Sequence, residues 1–68
     1  MTDEQYKICK YIKGRRRLND VLEKFNIKDY IALQEIVGAK RLSFSDYEMN
    51  ENTYIMLKEE ALEETEER

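Results

Sequence analysis

The chain has 68 residues, enough for one small domain that buries only about 60% of its unfolded-chain surface. Its residues are 41% hydrophobic and 40% charged, with a single cysteine and no proline or histidine. This composition favours a helix-rich, soluble domain spanning residues 1–68. It offers no histidine for a catalytic triad or a zinc site, and no glycine-rich loop for phosphates. We therefore expect no enzymatic activity, no catalytic residue, no metal and no cofactor.

The net charge of −3 is unevenly distributed along the chain. Residues 1–41 contain ten Lys or Arg against six Asp or Glu, a balance of +4. Residues 42–68 contain two Lys or Arg against nine Asp or Glu, a balance of −7. The first part is therefore the candidate for meeting nucleic acid, and the acidic second part is not. The alternative interpretation is that both sets of charges are solvated helix faces.

Localisation is predicted from three further features of the sequence. No apolar run approaches the roughly 18 residues of a transmembrane helix, and no signal-peptide pattern is present. Cys9 has no partner for an internal disulfide. These features predict a cytoplasmic protein without membrane contact.

The first predicted helix runs from Glu4 to Lys13, after a loose start at residues 1–3 in which Thr2 or Asp3 is a candidate cap. Gly14 is placed to end this helix. Its apolar face consists of Ile8, Cys9 and Ile12. Since no histidine can activate a thiol here, we interpret Cys9 as a small buried hydrophobe rather than a nucleophile.

Three adjacent arginines, Arg15, Arg16 and Arg17, follow as the sharpest charge cluster. Guanidinium groups match phosphate oxygens in a two-pronged geometry, which favours a phosphate contact. The alternative is an exposed connector whose arginines pair with nearby carboxylates. Part of this stretch is also a candidate for a strand of one or two residues beside a later hairpin.

Residues 18–37 contain two short helical patterns that meet at Asn26-Ile27-Lys28, which makes them a helix-turn-helix candidate. The second helix is predicted from Leu18 or Asn19 to Phe25, and the third from Lys28 or Asp29 to near Gly38. Asn26 is suited to a left-handed turn. The apolar stripes are Leu18, Val21, Leu22 and Phe25 in one helix, and Ile31, Leu33, Ile36 and Val37 in the other.

After Lys40 and Arg41 the apolar period changes from about 3.6 to 2, which predicts a β-hairpin over residues 41–58. Leu42 and Phe44 alternate with polar residues in its first strand, and Thr53 to Leu57 form the second. The connecting loop is polar and acidic. We expect Tyr47, Tyr54 and Met56 to share the outer face of the hairpin.

Residues 58–68 are predicted to form an acidic C-terminal helix. Its apolar side is thin and consists of Ala61, Leu62 and either Thr65 or Leu57. An isolated helix this short is marginal, so it must dock through Leu62 or fray. Its glutamates form either a solvated face or, in the alternative, part of a dimer contact.

The chain resembles the winged-helix family of small DNA-binding domains. LNDVLEKFNI is similar to the second helix and turn of such domains, and RLSFSDYEMNENTYIMLKEEALEE is similar to the wing hairpin running into a final helix. The resemblance covers roughly residues 5–65. It implies a mainly α fold with a small β-hairpin (α+β), consisting of three helices, a hairpin wing and a C-terminal helix.

The resemblance also implies binding of double-stranded DNA, as a transcriptional regulator of bacterial or phage type. A homodimer on a palindromic site would be expected from so small a module. The implied DNA contacts fall into two groups. Backbone contacts are assigned to Arg15, Arg16, Arg17, Lys40 and Arg41, and base contacts to Lys28, Tyr30 and Gln34. For Tyr30, partial burial is the equal alternative.

The hairpin loop departs from the DNA-binding pattern, since it carries Asp46, Glu48 and Glu51 and no basic residue. An acidic wing would repel phosphates. Some winged-helix proteins bind proteins instead of DNA. The alternative function is therefore a protein-interaction module whose binding surface is the acidic hairpin and tail.

Overall fold

The computed structural model describes all 68 residues and has an α+β architecture. Four α-helices and a three-stranded antiparallel sheet confirm the predicted α+β class. The elements, in chain order, are α1 (Asp3–Ile12), β1 (Arg16–Arg17), α2 (Leu18–Lys24), α3 (Tyr30–Val37), a 3-10 helix (Ala39–Arg41), β2 (Leu42–Phe44), β3 (Tyr54–Leu57) and α4 (Glu59–Glu67).

Helix α1 begins at a capping box. The backbone N–H of Gln5 donates to Thr2 Oγ1 over 3.1 Å, and the backbone N–H of Thr2 donates to Gln5 Oε1 over 2.9 Å. This reciprocal pair satisfies two otherwise free donors, so the helix starts at Asp3, one residue earlier than predicted. Ile8, Cys9 and Ile12 are buried as expected.

The turn between α2 and α3 confirms the expectation for Asn26, which is the one non-glycine residue with a positive φ, at 53°. Beyond it the backbone N–H of Ile27 donates to the carbonyl of Leu22 over 2.8 Å. Asp29 then caps α3 by accepting from the backbone N–H of Ala32 over 2.9 Å. Because the backbone of Asp29 is extended rather than helical, α3 starts at Tyr30 and not at Lys28 or Asp29.

The sheet has the strand order β1-β3-β2. Arg16 and Phe44 both lie opposite Ile55, which is therefore the central residue of the sheet. The predicted short strand at the arginines is confirmed as β1. It continues directly into α2, where the N–H of Leu18 donates to the carbonyl of Thr53 over 2.9 Å.

One cluster of nine buried side chains lies between the helices and the sheet: Ile8, Cys9, Ile12, Leu18, Val21, Leu33, Val37, Leu42 and Ile55. Two apolar predictions were wrong. Ile31 is 52% exposed, because the buried face of α3 passes through Leu33 and Val37 and turns Ile31 outward. Tyr47 is fully exposed in the loop, outside either strand of the hairpin.

Helix α4 docks on α1 through two residues of its predicted apolar side, but not through Leu62, the residue expected to lead the contact. Ala61 and Thr65 are the buried pair, while Leu62 is only half-buried. The Thr65 hydroxyl donates to the carbonyl of Ala61 over 2.7 Å, so its polar group is satisfied inside the interface. Small side chains at this contact let α4 lie close to α1.

No helix is both long and apolar enough to cross a membrane.

Candidate nucleic-acid interface

Arg16 and Arg17 form β1 and Arg15 immediately precedes it. All three are exposed, and the alternation of the extended chain divides them between two faces. The guanidinium carbons of Arg15 and Arg17 lie 4.3 and 5.9 Å from the centroid of the Tyr54 ring. Arg16 is directed instead toward Tyr11, with its guanidinium carbon 4.4 Å from that ring centroid. Aromatic rings therefore position all three guanidinium groups.

None of these arginines pairs with a carboxylate. Only three of the twelve Lys and Arg side chains form ion pairs: Lys13 with Glu66, Arg41 with Glu64, and Arg68 with Asp3. The interpretation of the arginine cluster as a connector neutralised by nearby acids is therefore not what the structure shows. Their charge remains available to an external anion.

A second group of cations surrounds an open cavity of about 430 Å³ between α1, β1 and α2, which we call the basic groove. Its walls are Lys7, Lys10, Tyr11, Arg16, Lys24 and Phe25, with no carboxylate among them. The Tyr11 and Phe25 rings meet edge to face, with centroids 5.6 Å apart, and form the aromatic part of its lining.

The sequence predictions named only Arg16 of this groove as a site residue. Lys7 and Lys10 stand three positions apart on α1, which places them on one side of the helix. Lys24 lies in the last turn of α2. The spacing of the two lysines was a usable signal, but their proximity to Lys24 and Arg16 depends on how α1, α2 and β1 pack.

The predicted base-contact residues are not brought together on one open face. Lys28 is exposed but precedes α3, and Gln34 is half-buried. Tyr30 is half-buried against Phe44, with ring centroids 6.1 Å apart in an edge-to-face contact. The exposed side chains of α3 itself are Ile31 and Glu35. The outward face of α3 thus carries no positive charge.

Lys40 and Arg41 differ in their surroundings. Lys40 is exposed and forms no ion pair. Arg41 is half-buried, and its Nη1 donates to the carbonyl of Val37 over 2.7 Å while its Nη2 lies 3.5 Å from Glu64 Oε2. This guanidinium links the end of α3 to α4, so its role in the structure is an internal bridge.

The acidic residues of the loop after β2 and of α4 do not line the basic groove. The loop after β2 exposes Asp46, Glu48 and Glu51. Its turn is held by the backbone N–H of Asn52 donating to Asn50 Oδ1 over 2.7 Å. In α4 the six glutamates are all exposed, and only two of them form ion pairs. The acidic loop and α4 therefore contribute no carboxylate to the lining of the groove, although Lys13, after the end of α1, pairs with Glu66 of α4.

Cys9 is fully buried beneath α4 and offers no reactive thiolate. Burial raises its pKa above the ordinary value of 9.0, while the positive charge of Arg41 and the interaction with the Thr65 side chain oppose that effect. The thiol therefore stays protonated at neutral pH. No three His, Cys, Asp or Glu side chains are grouped as metal ligands would be.

Comparison with protein-family models, with curated proteins and with solved structures gave no match to this chain.

Proposed function

We propose that the chain is a double-stranded-DNA-binding module of winged helix-turn-helix arrangement that acts as a transcriptional regulator. The observation that carries this proposal is the set of exposed cations without carboxylate partners along β1, α1 and α2. Phosphate contacts supply most of the affinity of small DNA-binding modules, and such contacts need available Lys and Arg side chains. Arg15 and Arg17 are the principal backbone contacts in this proposal.

The winged-helix part of the proposal is supported by the order of the elements. Helices α2 and α3 are joined by a short turn through Asn26, and a β-hairpin follows them along the chain. Strand β1 lies between α1 and α2 in sequence and pairs with β3 of that hairpin. In such an arrangement α3 is the helix presented to the major groove.

The composition of α3 limits the mode of binding. Lys28 and Gln34 are the candidates for base contacts, since Tyr30 packs against Phe44. With Ile31 and Glu35 as the exposed side chains of α3, base readout is sparse. Affinity then depends mainly on backbone contacts and is strongly salt-dependent. A homodimer on two half-sites would double those contacts.

Fluorescence anisotropy with a labelled random-sequence duplex tests the proposal. The variant Arg15→Gln/Arg17→Gln removes two unpaired charges over Tyr54. Lys13→Gln/Lys58→Gln is the matched control, because it removes the same net charge from outside the proposed contact surface. We expect the arginine variant to reduce the slope of log affinity against log salt by about 2, and the control to leave it unchanged. Equal slopes for wild type and both variants would overturn the proposed contacts.

A second candidate function is a protein-interaction module, and Ile31 is the observation in its favour. This side chain is 52% exposed on α3 next to the exposed Glu35. The acidic loop and α4 would add charge complementarity toward a basic protein. Absence of duplex binding even at low salt favours this second function over the first.

A further inference from the structure

We infer that the basic groove is a binding site for the phosphate groups of an anionic ligand. The site is formed by Lys7, Lys10, Arg16 and Lys24, which come from α1, β1 and α2. It is distinct from the Arg15 and Arg17 pair over Tyr54, since Arg16 points to the other face of β1.

Arg16 is already held in a binding geometry. Its Nε donates to the carbonyl of Tyr11 over 2.9 Å, and its guanidinium carbon lies 4.4 Å from the centre of the Tyr11 ring. Its two terminal nitrogens donate to no other group in the protein. They form the two-pronged end that matches a pair of phosphate oxygens. Little side-chain entropy remains to be lost when an anion binds.

Three lysines complete the positive lining. Lys24 Nζ lies 5.5 Å from the Tyr11 ring centroid, and Lys10 Nζ lies 5.9 Å from that of Tyr6. None of the lysines of the groove forms an ion pair. Four like charges around one open cavity repel one another, and a bound anion relieves that repulsion.

The aromatic residues of the groove favour a phosphate over a nucleobase. The Tyr11 ring already carries the guanidinium of Arg16 and the ammonium of Lys24, and Phe25 meets it edge to face. These rings position cations and leave no free stacking platform of the kind that single-stranded bases use. The groove therefore supplies charge and hydrogen-bond donors rather than a surface for a base.

The phosphate can belong to a nucleic-acid backbone or to a small phosphate-bearing molecule. The first source rests on the proposed function, for which the groove adds a contact beyond Arg15 and Arg17. The second does not depend on it. Two probes distinguish them: a short duplex and inorganic pyrophosphate.

The test is to titrate isotope-labelled full-length protein separately with the short duplex and with inorganic pyrophosphate. Binding is measured by amide chemical shifts and by anisotropy. Lys10→Gln/Lys24→Gln removes two charges from the groove, Arg15→Gln/Arg17→Gln removes two outside it, and Lys13→Gln/Lys58→Gln is the matched control. We expect shifts around Tyr11 and Lys24 on binding. We also expect the groove variant to bind the duplex at least about tenfold more weakly at low salt, with a salt slope reduced by about 2.

The outcomes separate this inference from the proposed function. Duplex binding that depends on Arg15 and Arg17 but is unchanged in the groove variant would overturn the groove site and leave DNA binding intact. Pyrophosphate binding lost only in the groove variant, without duplex binding, would support the groove and overturn the proposed function. Binding of neither probe would overturn both.

Discussion

Arg16 contacts Tyr11 twice, through a 2.9 Å hydrogen bond from Nε to the Tyr11 carbonyl and through its guanidinium over the Tyr11 ring. The two residues lie on β1 and α1, so the contact fixes the arginine cluster against the first helix. It also separates Arg16 from Arg15 and Arg17, whose guanidinium groups lie over Tyr54. One run of three arginines thus faces two surfaces, and each surface can be tested separately.

The charge of α3 provides the first prediction. If α3 faces DNA, Glu35 opposes binding by placing a negative charge near phosphates. We expect Glu35→Gln to tighten duplex binding by about two- to fivefold at low salt, an effect that salt screens. The same change at Glu67, near the end of α4, should have no effect. Identical affinities for the two variants would place α3 away from the DNA.

Gly38 provides the second prediction. It has φ 102° after the last turn of α3, and an added Cβ would lie 3.0 Å from Arg41 Nη1. We expect Gly38→Ala to lower the free energy of unfolding by about 1–3 kcal/mol, because the backbone conformation is strained for any other residue. Gly14→Ala is the control, since its Cβ would meet nothing within 4 Å. Urea unfolding measures both, and equal stabilities would contradict the assigned conformation.

The docking of α4 through small side chains provides the third prediction. Ala61 is buried on the side of α4 that packs against the rest of the domain. Ala61→Leu therefore places a larger side chain in this contact than it can hold. We expect a loss of about 1–3 kcal/mol in the free energy of unfolding. Glu63→Leu introduces the same side chain at an exposed position and should change stability by no more than about 0.5 kcal/mol. Comparable losses in the two variants would show that Ala61 is not the docking residue.

The buried thiol of Cys9 provides the fourth prediction. Burial raises its pKa above 9.0, so the folded state favours the protonated thiol. Its contribution to stability is therefore fully present below about pH 9 and is lost as the pH rises through the folded-state pKa. We expect the unfolding free energy of the wild type, relative to Cys9→Ala, to fall above pH 9. A thiol reagent should react with the native protein only through opening of the structure. Fast labelling at neutral pH would contradict this burial.

Much of the fold was predictable where a local pattern decides it. The left-handed turn at Asn26, the cap at Asp29 and the buried face of α1 each depend on neighbouring residues and the helical period. The face of α3 was less predictable. Ile31 was chosen for its hydrophobicity, whereas spacing from Leu33 and Val37 brings Tyr30 inward and leaves Ile31 outside.

The candidate site was predictable only in part, for a related reason. The three adjacent arginines are evident from the sequence alone. The basic groove requires Lys7 and Lys10 of α1 to meet Lys24 of α2, and that proximity depends on tertiary packing. The internal bridge made by Arg41 was not predictable, because its long side chain reaches Glu64, which is 23 positions away. Neither long-range contact has a signature in local spacing.

The most direct measurement is the salt dependence of duplex binding by the wild type and by Arg15→Gln/Arg17→Gln, from about 50 to about 200 mM salt. We predict that wild-type affinity falls steeply over this range and that the variant has a slope smaller by about 2. The control Lys13→Gln/Lys58→Gln should follow the wild type. A wild-type protein that binds no duplex at low salt, or one whose slope is unaffected by loss of the two arginines, would contradict DNA binding through this surface.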